Sequence, residues 1–73
     1  MILSRHPEVD CRDCGERLYV GLSPEPSCWK VHYVCRLPDG CGRERRGGRI
    51  AVSAVDSRDE ARRLAERRLS AER

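Results

Sequence analysis

CWKVHYVCRLPDGCG, residues 28–42, decides how this chain folds. Its first eight residues alternate, with Trp29, Val31, Tyr33 and Cys35 on one parity and Cys28, Lys30, His32 and Val34 on the other. A period of two carried by β-branched and aromatic residues predicts a strand. The strand runs directly into Cys35, and Pro38-Asp39-Gly40 predicts a turn that brings Cys41 back beside it.

Working upstream, Cys11-Arg12-Asp13-Cys14-Gly15 is a second tight knuckle, followed by a short strand-type run RLYVGL (17–22) and the turn segment SPEPS (23–27). Strand, Pro-containing loop and strand fold back as a hairpin, which brings both knuckles to one end. The resulting spacing is Cys11-x2-Cys14-x20-Cys35-x5-Cys41. Zn²⁺ takes four thiolates in a tetrahedron at about 2.3 Å, and cysteines on tight turns each supply one edge of it. The spacing therefore predicts one structural Zn²⁺ held by Cys11, Cys14, Cys35 and Cys41. Gly15 and Gly42 follow the second cysteine of each knuckle, where the chain turns sharply and a Cβ is costly. Cys28 and His32 are competing donors, but they fall on the strand face opposite Cys35. Otherwise Cys28 reads as a small buried apolar residue, and His6 and His32 as polar surface groups.

Composition makes such a clamp necessary. The 73 residues are 38% hydrophobic and 37% charged, with no Phe, one Trp and two Tyr. A folded chain of this length buries only about 60% of its unfolded surface. Small domains in this position add disulfides, a metal or an oligomer contact. The five cysteines are an odd number, so they cannot all pair within the chain. No apolar run is long enough for a signal peptide or a membrane span, which points to a cytoplasmic protein with reduced thiols and favours metal over a disulfide framework.

Downstream, RIAVSAV (49–55) reads as a third strand, whereas Arg43 to Arg49 is too rich in Arg and Gly to assign. Ser57 with Glu60 forms a capping box, and Ala61, Leu64, Ala65 and Leu69 fall on one face of a helix from about Asp56 to Glu72. The expected organisation is an N-terminal arm (1–10), a zinc ribbon (11–55) and a C-terminal amphipathic helix (56–73). The expected fold class is a small metal-bound α+β domain, a zinc ribbon of about three antiparallel strands with that helix. Trp29 and Tyr33 are expected in its core.

Cys11-Arg-Asp-Cys14-Gly15, the aromatic-containing VHYVC strand leading into Cys35, and the short loop closing on Cys41-Gly42 resemble the Ogr/Delta-type zinc fingers of tailed bacteriophages. The resemblance runs from about Cys11 to Val55 and departs from the family in three ways: a shorter spacing between the knuckles, a second knuckle one residue longer, and RERRGG in place of an aromatic just after the fourth cysteine. It implies the same four zinc ligands, with Tyr33 as the aromatic before the second knuckle. It also implies a small activator of phage late genes in a bacterial host cytoplasm, one that binds promoter DNA and contacts the host RNA polymerase α subunit.

Charge is unevenly placed. The formal net charge is +3, and residues 41–73 hold ten of the fifteen basic groups. Arg43, Arg45, Arg46 and Arg49, joined by Arg36 and Arg12 at the knuckles, are the candidate phosphate or partner contacts. Arg62, Arg63, Arg67 and Arg68 alternate with acids at ion-pair spacing and read as a solvated helix face. The other functional class is a protein-interaction adaptor that never touches DNA. Four thiolates close the metal shell, and no general base, phosphate loop or Ser/His/Asp set accompanies them, so an enzyme is not expected.

Overall fold

The structure, a computed structural model, describes residues 2–72. Four strands, β1 (Ile2–Asp10), β2 (Arg17–Pro24), β3 (Cys28–Val34) and β4 (Glu44–Ala51), precede a short 3₁₀ turn (Val52–Ala54) and a helix, α1 (Arg58–Ala71). The strands form one antiparallel sheet in the order β1-β2-β3-β4. The α+β class holds, with four strands where about three are expected.

The additional strand lies in the expected N-terminal arm. Residues 2–10 pair with β2 from Ile2 opposite Leu22 to Arg5 opposite Tyr19, and resume at Asp10 opposite Arg17. Between these points β1 bulges around Pro7, and its freed backbone groups are satisfied by side chains. His6 Nδ1 accepts hydrogen bonds from the N–H of Glu8 at 2.9 Å and of Val9 at 3.0 Å. The Arg17 guanidinium donates to the carbonyls of His6 at 3.2 Å and Pro7 at 2.6 Å. With Nδ1 an acceptor, the proton sits on Nε2, which donates to the Glu66 carbonyl of α1 at 3.0 Å. His6 is thus buried, 1% exposed, and not the surface group expected of it.

The expected third strand also shifts. β4 begins at Glu44, so the Arg-Gly segment is a sheet strand with one bulge, and Val52–Ala54 leaves it as a 3₁₀ turn. The glycines make this possible. Lys30 lies opposite Arg49 and His32 opposite Arg46, so Gly47 and Gly48 together face Val31 in a bulge. Gly48 has φ +79°, and a Cβ on Gly47 would fall 2.6 Å from the Tyr33 ring and 2.7 Å from Val31. The ring occupies the room a side chain would need, so the strand passes over it as bare backbone.

One sheet face is covered by α1. Val9, Val20, Leu22, Val31, Tyr33 and Ile50 pack against Ala61, Ala65 and Leu69, with Trp29 half-buried at the margin. The two alanines are fully excluded from solvent, which lets the helix backbone approach closely enough for the Tyr33 hydroxyl to donate to the Ala65 carbonyl at 2.9 Å. The helix starts two residues later than expected. Ser57 Oγ accepts from the Glu60 N–H at 3.2 Å, and the Glu60 carboxylate accepts from the N–H of Asp56, one residue before the cap.

Candidate metal centre

The connection β1–β2 carries Cys11 and Cys14, and the connection β3–β4 carries Cys35 and Cys41. Because β2 and β3 are central neighbours, both connections leave the same end of the sheet side by side. The four sulfurs lie within 4.8 Å of one another. Cys11 and Cys41 are 3.8 Å apart and Cys14 and Cys35 3.2 Å apart. Around a tetrahedral ion at about 2.3 Å each sulfur pair is separated by about 3.8 Å, so the donors already have the spread a tetrathiolate requires.

Backbone geometry builds each half. Gly15 N–H donates to the Cys11 carbonyl at 2.9 Å, and Cys11 N–H to that of Glu16 at 2.7 Å, closing the first knuckle. The second repeats the design, with Gly42 N–H to the Cys35 carbonyl at 2.8 Å and Cys35 N–H to that of Arg43 at 2.8 Å. Gly15 and Gly42 have φ +79° and +80°, as the sharp turn after each cysteine pair requires. Gly40 matters for another reason. A Cβ there would sit 2.4 Å from the Cys35 sulfur, so only glycine leaves that sulfur its position. Sequence reasoning took Gly40 for an ordinary turn residue.

Electrostatics around the sulfurs is asymmetric. Cys11 is lowered to about 7, chiefly by hydrogen bonds from the backbone of Cys14 and then Asp13. Cys35 is pushed up to about 12, first by its hydrogen bond with the Cys14 thiol. The Cys41 N–H donates to the Cys35 sulfur at 3.2 Å and works in the opposite direction. Cys11 therefore ionises before Cys35. Arg43, 3.0 Å from Asp13, ties the two knuckles together outside the cluster.

The competing donors lie elsewhere. The Cys28 thiol donates to the Glu25 carboxylate at 3.1 Å, which raises its pKa, and His32 pairs with Glu44 at 2.7 Å. Cys28 is half-buried and hydrogen-bonded rather than a simple apolar filler.

No family model, curated protein or solved structure matches this chain.

The expected contact arginines do not form one surface. Arg45 stands opposite Tyr33 on the helix side, pairs with Glu72 and lies over the Tyr33 ring. Arg46 and Arg49 stand opposite His32 and Lys30 on the other, open face of the sheet. Arg49 pairs there with Glu25 at 3.1 Å. Arg36, just past β3, lies over the ring of Tyr19 on that same open face. Arg43 is held at the knuckles, and Arg12 is exposed beside Cys11. Arg5 and Lys30, which sequence reasoning passed over, join the open face. The alternation of β2 and β3 carried that information for Lys30. Arg5 needed the pairing of β1, which no local pattern signals. Among the described residues no helix is long and apolar enough to cross a membrane.

Proposed function

We propose that Cys11, Cys14, Cys35 and Cys41 hold one structural Zn²⁺ in a zinc-ribbon-like domain, and that the domain is a small transcription regulator contacting DNA, RNA polymerase or both. The observation that carries the metal is the set of four sulfurs within 4.8 Å, supplied by two glycine-closed knuckles. All four donors are sulfur, which suits Zn²⁺ over Mg²⁺ or Ca²⁺, and a closed shell of four suits a structural over a catalytic role. When bound, the ion cross-links the two sheet connections.

The regulator reading is supported by the distribution of charge. Arg5, Arg36 and Arg46 make no ion pair among the described residues, while the helix arginines Arg62 and Arg63 are consumed by Asp59 and Glu66. Arg58, Arg67 and Arg68 of the helix are likewise without an ion pair among the described residues, so the cationic surplus is shared between the sheet side and the helix. The polymerase branch, and equally the adaptor alternative, draws support from a groove of about 570 Å³ beside the metal site. Val9, Leu18, Tyr33 and Leu69 floor this groove, and charges of both signs rim it. Two measurements test the proposal together: nucleic-acid binding of the zinc-loaded chain against salt concentration, and co-purification with bacterial RNA polymerase. Failure of both at low salt removes the regulator reading and leaves the metal site untouched.

A further inference from the structure

We infer that the open face of the sheet is a platform for single-stranded nucleic acid, with one base seated at Tyr19 beneath Arg36. The inference rests on the nucleic-acid branch of the function proposed above and names the form of nucleic acid that branch engages.

The helix covers only one side of the sheet. On the other, cross-strand neighbours stand in rows: Arg5, Tyr19 and Val34 in one, then His32 beside Arg46, then Lys30 beside Arg49. Directly opposed residues of an antiparallel pair point to the same side. The first row therefore presents the partly exposed Tyr19 ring with Arg5 on one flank and Val34, then Glu44, on the other, and the next two rows add His32, Arg46, Lys30 and Arg49. Of the acidic groups here, Glu25 is engaged by Arg49 and Glu44 by His32, while Glu16 and Asp39 stand exposed at the edge of the cleft beside Tyr19. Among the described residues Arg5, Arg36 and Arg46 have no carboxylate partner to give up, so an incoming phosphate displaces no ion pair there at those three positions.

Shape selects the single strand. Four strands about 4.8 Å apart make a surface about 14 Å across before side chains are added. The major groove of duplex DNA is about 12 Å wide and admits a helix or a two-stranded ribbon, and the minor groove is narrower still. A four-stranded face laid flat reaches only the phosphate ridges of a duplex and leaves Tyr19 without a partner. A single strand lies on the sheet with its bases free to stack on an aromatic ring or a guanidinium plane.

The seat for a base is formed. A cleft of about 240 Å³ opens between the sheet and the second knuckle, lined by Tyr19 and Arg36, by Arg5 and the Asp10-paired Arg17, and by the carboxylates Glu16 and Asp39 at its edge. The Arg36 guanidinium carbon lies 5.7 Å from the Tyr19 centroid, and Arg36 is exposed at the start of the knuckle loop. A small swing of that side chain lets a base slide between guanidinium and ring, with Arg5 placed to meet the adjoining phosphate. Because Arg36 follows Cys35 directly, the metal centre fixes the backbone from which this lid hangs.

Fluorescence anisotropy of the zinc-loaded chain with a labelled 20-mer of mixed sequence, as a single strand and as its duplex, tests the inference. The single strand binds more tightly. Tyr19→Leu and Arg36→Gln each weaken it by about tenfold and leave duplex binding almost unchanged. Arg46→Gln lowers the salt dependence of log K by about 0.7. Arg63→Gln, on the far side of the helix, changes nothing. Circular dichroism and zinc content confirm that each variant is folded, and if Tyr19→Leu is not, the exposed Arg36→Gln carries the test. A duplex bound as tightly as the single strand overturns the inference and leaves a DNA-binding regulator standing. Binding indifferent to Tyr19 and Arg36 overturns it likewise, and polymerase capture without any nucleic-acid binding overturns it while keeping the polymerase branch.

Discussion

Replacing His6 with Ala removes the element that fastens β1 to both the sheet bulge and the helix. Three short hydrogen bonds are lost together, Nε2–H to the Glu66 carbonyl at 3.0 Å and the N–H groups of Glu8 and Val9 to Nδ1 at 2.9 and 3.0 Å, along with a longer contact between Nε2 and Ser70 Oγ at 3.5 Å. The first is worth about 1 kcal/mol net, whereas a buried N–H left without a partner costs about 1–3 kcal/mol. Val9 is buried and bears that cost in full, while Glu8 is exposed and finds water. With the void left by an imidazole that is 1% exposed, the loss comes to about 3–5 kcal/mol. A small domain has about 5–15 kcal/mol in total. Urea unfolding of zinc-loaded protein, followed by circular dichroism, measures it. His6→Asn restores part of the loss, because its side-chain oxygen can take the two N–H groups while the contact to Glu66 stays broken. A loss below about 1 kcal/mol for His6→Ala, or no difference between the two variants, would refute the reasoning.

Three further outcomes follow from the same geometry. Gly40→Ala places a Cβ 2.4 Å from the Cys35 sulfur, so zinc affinity measured against a competing chelator falls by one to two orders of magnitude, more than for Gly15→Ala, where the added atom meets nothing within 4 Å. Gly47→Ala drives a methyl into Tyr33 and Val31 and lowers stability by about 2–3 kcal/mol in urea titrations, without changing zinc stoichiometry. Zinc affinity falls as pH falls, because protons compete for the sulfurs. Cys35, at about 12, releases a proton to the ion throughout the accessible range. Cys11, at about 7, does so only below neutrality, so the slope of log K against pH steepens by about one proton as pH drops through 7.

How much of this was legible in the sequence differs from element to element. The period-two pattern of β3, the paired knuckles and the capping box each depend on neighbours in the chain, and each appears where expected. The arm and the Arg-Gly segment were unreadable for one shared reason. Their regularity comes from partners distant in sequence: β2 and α1 for His6, and the Tyr33 ring for Gly47. A histidine before a proline reads as polar lead-in until a helix sixty residues later supplies the carbonyl that receives its proton. Likewise, Arg and Gly together signal a loop unless a buried ring makes glycine obligatory. The four cysteines were readable because a metal site demands a spacing, whereas the contact arginines of β4, Arg45, Arg46 and Arg49, were separated by strand parity that the bulge at Gly47 and Gly48 resets.

The most direct test of the account is native mass spectrometry of the purified chain, with circular dichroism before and after addition of a strong chelator. One Zn²⁺ per chain, four free thiolates engaged, and cooperative loss of the sheet signal on chelation is the predicted result. A metal-free chain that keeps its full sheet signal, or a mass showing the cysteines of the two knuckles joined as disulfides, would contradict it.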